Sequence, residues 1–148
     1  MTRNTKPQLE AVQQFCQEQG LRLTPVRESV FKALLAHEKP VGAYQLLEDL
    51  RETLDNPKPP TIYRAIEFWL QAGLIHKIES LNAYTVCRND HAHPGSQFLV
   101  CDSCGDIAET HLCHLPESLN QQVSAQNFQM KYWNTEIHGL CAQCAQSR

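Results

Sequence analysis

Cys101-Asp102-Ser103-Cys104-Gly105 closes the apolar run Phe98-Leu99-Val100, and its reading decides how the rest of the chain is understood. Two cysteines two residues apart bend the backbone into a knuckle whose sulfurs face one point. A second pair, Cys141-Ala142-Gln143-Cys144, comes just before the last residues. Two knuckles supply four thiolates at the ~2.3 Å that zinc prefers in a tetrahedral cage. One CxxC alone would equally suit a redox pair or a chance spacing. Two of them, in a chain whose start carries no export signal, point to a structural zinc site. The span between the knuckles is longer than in a compact zinc ribbon, so it is expected to hold a helix and a strand. The metal would then tie the last residues back to mid-chain and close a subdomain.

Around that subdomain, residues 97–148 read as short strands Gln97–Val100 and Ile107–Glu109, a helix from Pro116 to about Ala125, and a strand over 129–137. Leu119 and Val123 are the expected inward residues of that helix. The part has too few large apolar side chains for a lone core, so zinc and a partner subunit would each supply what is missing. Residues 88–96, with Asp90, His91, His93, Pro94 and Gly95, read as a hinge.

Upstream, residues 1–87 read as a helical head. Leu9, Val12 and Cys16 share one face of a helix over 8–19, which Gly20 ends. Cys16 reads there as a small buried hydrophobe. Thr24 caps a second helix that has Pro25 at its first position. A third runs from Ala43 to about Leu54, with Leu46, Leu47 and Leu50 inward. After the stiff turn Asp55–Pro60 comes a fourth, Thr61 to Ala72, ended by Gly73. It buries Ile62, Ile66, Trp69 and Leu70 and turns Tyr63, Arg64, Glu67 and Gln71 outward. Two strands then follow, at 74–78 and 84–87. Helices followed by a hairpin make a winged helix-turn-helix with the fourth helix as reader. Tyr63 and Arg64 are placed to reach base edges, with Thr61 and Lys58 near phosphates. A small α+β domain with a merely solvated Tyr-Arg pair would show the same pattern.

The totals constrain the partner. The chain carries 13 Lys+Arg against 16 Asp+Glu, a formal −3, with ten of each sign in residues 1–80. There is no global basic signature, so attraction to DNA must come from a local face, with Arg22, Arg27, Lys58, Arg64 and Lys77 as candidates. The N-terminus has no apolar export core and no run approaches a membrane span, so a cytoplasmic protein with no membrane partner is expected. No catalytic set or phosphate-cradling loop stands out, so neither enzyme activity nor a small-molecule substrate is expected.

Four further donors, His76, Cys87, His93 and Glu109, sit at element ends on either side of the hinge. Singly each has a plain explanation as a surface histidine, a buried thiol or a solvated carboxylate. As a set they offer two nitrogens, one sulfur and one oxygen that could close around zinc. The thiolate favours zinc over iron or manganese.

These residues bring the chain to a family. Leu23-Thr24-Pro25-Val26-Arg27, Ala43-Tyr44-Gln45-Leu46-Leu47, Lys58-Pro59-Pro60-Thr61-Ile62-Tyr63-Arg64-Ala65 and Gly73-Leu74-Ile75-His76-Lys77-Ile78-Glu79-Ser80 carry the resemblance in the head. Cys101–Gly105 and Ile137-His138-Gly139-Leu140-Cys141-Ala142-Gln143-Cys144 carry it onward. In this order they resemble the ferric uptake regulator (Fur) family of bacterial metal-dependent repressors, and within it the zinc uptake regulator (Zur) branch.

The resemblance implies an α+β protein: an N-terminal winged-helix DNA-binding domain and a small C-terminal α/β dimerisation domain closed by the four-cysteine zinc site. It implies a homodimer on palindromic double-stranded operator DNA and two zinc ions per protomer. One is structural, at Cys101, Cys104, Cys141 and Cys144; one is regulatory, at His76, Cys87, Glu109 and a hinge histidine. The chain departs from the family spacing there, offering His91 and His93, of which His93 is preferred. It lacks the His-His-His-Asp-His run of iron-sensing relatives. The implied function is zinc-responsive repression of zinc-uptake genes. The rivals are an iron- or peroxide-sensing repressor of the same family and a CxxC thiol redox protein. His111, Cys113 and His114 lie outside both matched sites, as solvated side chains or a further weak metal site.

Overall fold

The computed structural model describes residues 7–88, 95–110 and 114–147. The chain divides into two compact units, Thr5–Arg88 and Asn89–Arg148. No helix among the described residues is long and apolar enough to cross a membrane.

The first unit runs α1 (Leu9–Glu18), α2 (Pro25–Ala36), α3 (Ala43–Leu50), α4 (Pro59–Ala72), β1 (Ile75–Ile78) and β2 (Ala83–Val86). α2 starts as its sequence demands: Thr24 Oγ1 accepts the Arg27 N–H at 3.3 Å, and Pro25 takes the first helical position. α3 stops at Leu50, short of the expected Leu54. Asn56 adopts φ 46 ahead of Pro57, so the chain unwinds through turns over 51–56 instead of continuing the helix. α4 starts earlier than expected, at Pro59 rather than Thr61. The last two prolines of the stiff turn are therefore not a break but the first helical positions. A proline there removes an N–H that would have had no partner, and the Thr61 N–H finds the Lys58 carbonyl at 3.0 Å.

Trp69 of α4 is fully buried, its ring 4.7 Å from that of Phe31 on α2. Val30, Leu34, Leu46, Ile62, Ile66 and Ile75 complete the same core. Truncating a buried Trp or Phe in such a place costs about 3–5 kcal/mol. β1 and β2 pair antiparallel, Ile75 opposite Val86, and Val41 adds a bridge to Tyr84. That bridge, two hydrogen bonds of 2.8 and 2.9 Å, ties the entry of α3 to the hairpin. The result is the expected winged helix-turn-helix.

The second unit is built on β3 (Gly95–Cys101), with β4 (Ile107–Thr110) antiparallel on one side and β5 (Trp133–Gly139) parallel on the other. α5 (Glu117–Ala125) lies in the crossover that a parallel pair requires, and α6 (Ala142–Gln146) follows the second knuckle. β3 begins two residues before the strand read from sequence, because Gly95 and Ser96 pair with Trp133 and Asn134. The Ser96 hydroxyl donates to Asn134 Oδ1 at 2.7 Å. For the same reason β5 begins at Trp133 and runs on to Gly139, opposite Cys101. α6 has no counterpart in the sequence reading, being too short for a periodic signal.

Phe98, Val100, Cys101, Ile107, Ala108 and Trp133 are the buried apolar residues of this sheet. Leu119, expected to point inward, is 43 % exposed, and α5 buries none of its residues. Phe128, Tyr132 and Ile137 are more exposed still. Among the described residues of this unit, nothing covers that apolar surface.

Candidate metal centres and nucleic-acid interface

The four-cysteine site is assembled by the β3–β5 pairing. β3 delivers Cys101 to the end of the sheet, and the chain turns through Asp102–Cys104. Gly105, at φ 74, closes the knuckle in a backbone region that L side chains avoid, and its N–H donates to the Cys101 carbonyl at 2.9 Å. The Asp102 N–H donates to the Gly139 carbonyl at 2.9 Å, which holds the second knuckle beside the first. α6 grows from that knuckle, its Ala145 N–H reaching the Cys141 carbonyl.

All four sulfurs lie within 4.8 Å of one another, and Cys104 Sγ is 3.9 Å from Cys141 Sγ. A tetrahedron with arms of ~2.3 Å has an edge of about 3.8 Å. No disulfide joins any of the six described cysteines.

The electrostatics are those of a cation site. The backbone N–H groups of Cys141 and then Cys104 pull the Cys101 thiol down to about 6; the Cys141 N–H lies 3.3 Å from the sulfur. Cys141 is lowered as well, first by the Cys144 backbone N–H. Cys104 moves the other way, raised first by its bond to Cys101. Cys144 is pushed up to about 12: the Ser103 hydroxyl lowers it, but the sulfurs of Cys141 and Cys101 outweigh that. Two thiols are thus shifted toward the thiolate and the other two away from it. A soft divalent cation lifts that conflict, so the donor set fits zinc.

A side-chain clamp lies beside the site. His138 places Nδ1 2.9 Å from Asp102 Oδ1 and Nε2 3.0 Å from Glu136 Oε2, joining the first knuckle to β5. Its hydrogen bonds to Asp102 and then Glu136 raise it above the ordinary imidazole value. The sequence alone assigns His138 no role, since its partners are known only once β5 is placed.

The second donor set is spread over the chain. His76 is in β1 and Cys87 directly follows β2; the Cys87 N–H is held by the Leu74 carbonyl at 2.8 Å. The hairpin register brings the ligand atoms of this pair within 4.8 Å of each other, with Cys87 buried. Glu109 is in β4 of the second unit, opposite Phe98. His91 and His93 lie outside the described residues, as do His111 and Cys113; His114 is exposed.

In the first unit α4 buries Ile62, Ala65, Ile66 and Trp69, which leaves Lys58, Thr61, Tyr63 and Arg64 exposed at its start. Tyr63 is 54 % exposed. Tyr44, in the first turn of α3, is 75 % exposed and has no role in the sequence reading. A signal for it exists: an aromatic residue at a helix start, off the stripe of Leu46, Leu47 and Leu50.

Residues 18–138 match the model of the Ferric uptake regulator family. The zinc uptake regulation protein of Escherichia coli (strain K12) is 33 % identical over 144 residues, covering 96 % of this chain and 84 % of its own. A solved zinc uptake regulator complexed with zinc and DNA superposes with a TM-score of 0.86 at 34 % identity, over 94 % of this chain and 93 % of that one. The crystal structure of holo XcZur gives 0.83 at 40 % identity, over 93 % and 96 %.

Proposed function

Because this chain belongs to the ferric uptake regulator family, we propose that it is a zinc-responsive transcriptional repressor of zinc-uptake genes. It acts as a homodimer on palindromic operator DNA in the cytoplasm, and it is a regulator rather than an enzyme. Each protomer takes two zinc ions. Cys101, Cys104, Cys141 and Cys144 hold the structural one; His76, Cys87, His93 and Glu109 hold the regulatory one. Lys58, which precedes α4, and Thr61, Tyr63 and Arg64 of α4 face DNA, joined by Tyr44 of α3.

The observation that carries zinc over iron is the thiol of Cys87 beside His76. When bound, the regulatory ion supplies one coordination point shared by donors from both sides of the hinge. His76 and Cys87 are fixed by the hairpin, and Glu109 by the β3–β4 ladder. Holding these elements at one point restricts the angle at which a dimer presents its two α4 helices to half-sites on the duplex. The metal can shift that equilibrium only by its differential affinity for the restricted form, and operator DNA must tighten metal binding by the same factor.

Net charge does not carry the switch. Five ligand thiolates subtract five charges and two zinc ions restore four, so the formal −3 becomes about −4. The exposed apolar surface of the second unit supports the homodimer.

The test starts from a duplex that the zinc-loaded protein selects from a randomised pool. Its binding is then titrated against buffered free zinc, ferrous iron and manganese. Zinc is expected to activate binding at the lowest free concentration. Stronger activation by ferrous iron would overturn the zinc reading. Thiol reductase activity that survives chelators would favour the redox alternative.

A further inference from the structure

Among the basic residues expected to face DNA, Arg27 is half-buried and its guanidinium lies against the protein's own α4. Its guanidinium carbon lies 3.8 Å from the centre of the Phe68 ring on α4, and its Nη1 donates to the Arg22 carbonyl. Its backbone is engaged on both sides. The Arg27 carbonyl accepts the Trp69 indole N–H at 2.9 Å, and its N–H is capped by Thr24. One residue at the start of α2 thus holds three elements in register: the turn carrying Arg22, the first turn of α2 and the second half of α4. Arg22 is exposed, and α4 carries Tyr63 and Arg64. Both are surfaces that a duplex would meet.

We infer that Arg27 is a positioning residue of the DNA interface: it fixes the angle between the Arg22 turn and α4 and makes no phosphate contact of its own. The inference rests on the DNA-binding function proposed above. Chemistry supports it over the simpler idea of one more cation. A guanidinium held over a phenyl ring, with one of its N–H groups committed to a carbonyl, is less free to swing out to a phosphate than an unattached cation. The indole adds a second tether from the next residue of α4, so the frame is held at Phe68 and Trp69 together.

The two roles separate in the salt dependence. A side chain that neutralises a phosphate contributes about 0.9 to the slope of log affinity against log salt, whereas one that only positions others leaves the slope unchanged. They separate again in the conservative variant, because lysine keeps the charge but neither the planar stack nor the fork.

The experiment uses the zinc-loaded full chain and the duplex it selects from a randomised pool, with a scrambled duplex alongside. Arg27→Gln, Arg27→Lys, Phe68→Leu and Arg22→Ala are compared across a salt series. Zinc content and melting temperature are recorded for each. Arg27→Gln and Arg27→Lys are both expected to lose about tenfold on the selected duplex with the parental slope and unchanged scrambled-duplex binding. Phe68→Leu should match them, and Arg27→Gln/Phe68→Leu should be no weaker than either single change, because the two side chains form one contact. Arg22→Ala should lower the slope by about one.

A slope that falls by about one in Arg27→Gln, or parental affinity in Arg27→Lys, would overturn the inference while leaving the proposed function standing. If Arg27→Gln fails to fold, Arg27→Lys and Phe68→Leu decide the matter by the same criteria. A zinc-loaded parent that selects no duplex at all would overturn both.

Discussion

The Trp133 indole covers Gly95 so closely that a methyl group at position 95 would overlap its ring. The two residues are partners in the parallel β3–β5 ladder, at the first residue of each strand. Gly95→Ala must therefore displace either the buried indole or the start of β3. Overpacking of this kind costs about 1–3 kcal/mol. The zinc-loaded variant should melt several degrees below the parent with red-shifted tryptophan emission, whereas Gly139→Ala, which meets open space, should not. Equal melting temperatures for Gly95→Ala and the parent would show that the ring yields freely.

Cys104→Ser removes one donor of the proposed zinc site, whose four sulfurs bring two distant segments of the second unit together. With few buried apolar side chains to sustain it, that unit should lose its fold, because structural zinc contributes folding free energy directly. The expected products are monomer or aggregate with less than one tightly held zinc, read by light scattering and metal analysis. A soluble dimer with native circular dichroism would show that the fold does not depend on this site.

Cys87→Ser should behave differently. The thiol lies in the first unit, so its loss leaves the knuckles intact. The variant should stay dimeric, keep one tightly bound zinc per protomer and lose zinc-dependent duplex binding. His93→Ala should follow it, with His91→Ala mild by comparison; the reverse order would identify His91 as the ligand. Activation of Cys87→Ser by zinc at the parental concentration would contradict the assignment.

Arg64→Ala should weaken binding to the selected duplex by at least about tenfold, since a bidentate contact to guanine contributes ~1–3 kcal/mol of discrimination. Tyr44→Ala should reduce affinity without changing metal content. Parental binding by Arg64→Ala at matched salt would show that α4 is not the reader.

His138 should titrate above the ordinary 6.5, first because of Asp102 and then Glu136. Its folded value is raised, so its stabilising contribution is fully present below 6.5 and is lost as the pH rises through the folded value. NMR of the zinc-loaded protein should place the imidazole midpoint above 6.5, and Asp102→Asn should bring it down. A midpoint at or below 6.5 in the parent would mean that the clamp is open in solution.

Much of this protein is written in local sequence. The caps at Thr24-Pro25, the stop at Gly73, the spacing of Ile62, Ile66 and Trp69, and the two CxxC pairs depend on neighbours within a few residues. Backbone sterics and helical periodicity act over that range, so these features can be read directly. The start of α4 falls two residues ahead of its expected place because consecutive prolines look like a break, yet suit the first turn of a helix, where N–H groups lack partners.

The rest depends on contacts between distant residues. The extent of β3 follows from a parallel partner far along the chain, and no propensity at Gly95 announces it. The indole over Gly95, the clamp at His138 and the nearness of His76 to Cys87 are consequences of strand register. The contact of Arg27 with Phe68 is of the same kind. An arginine near a helix start reads as a surface cation until tertiary packing sets an aromatic ring beneath it. Composition and periodicity report whether a side chain is apolar; only the packed chain determines which partner it meets.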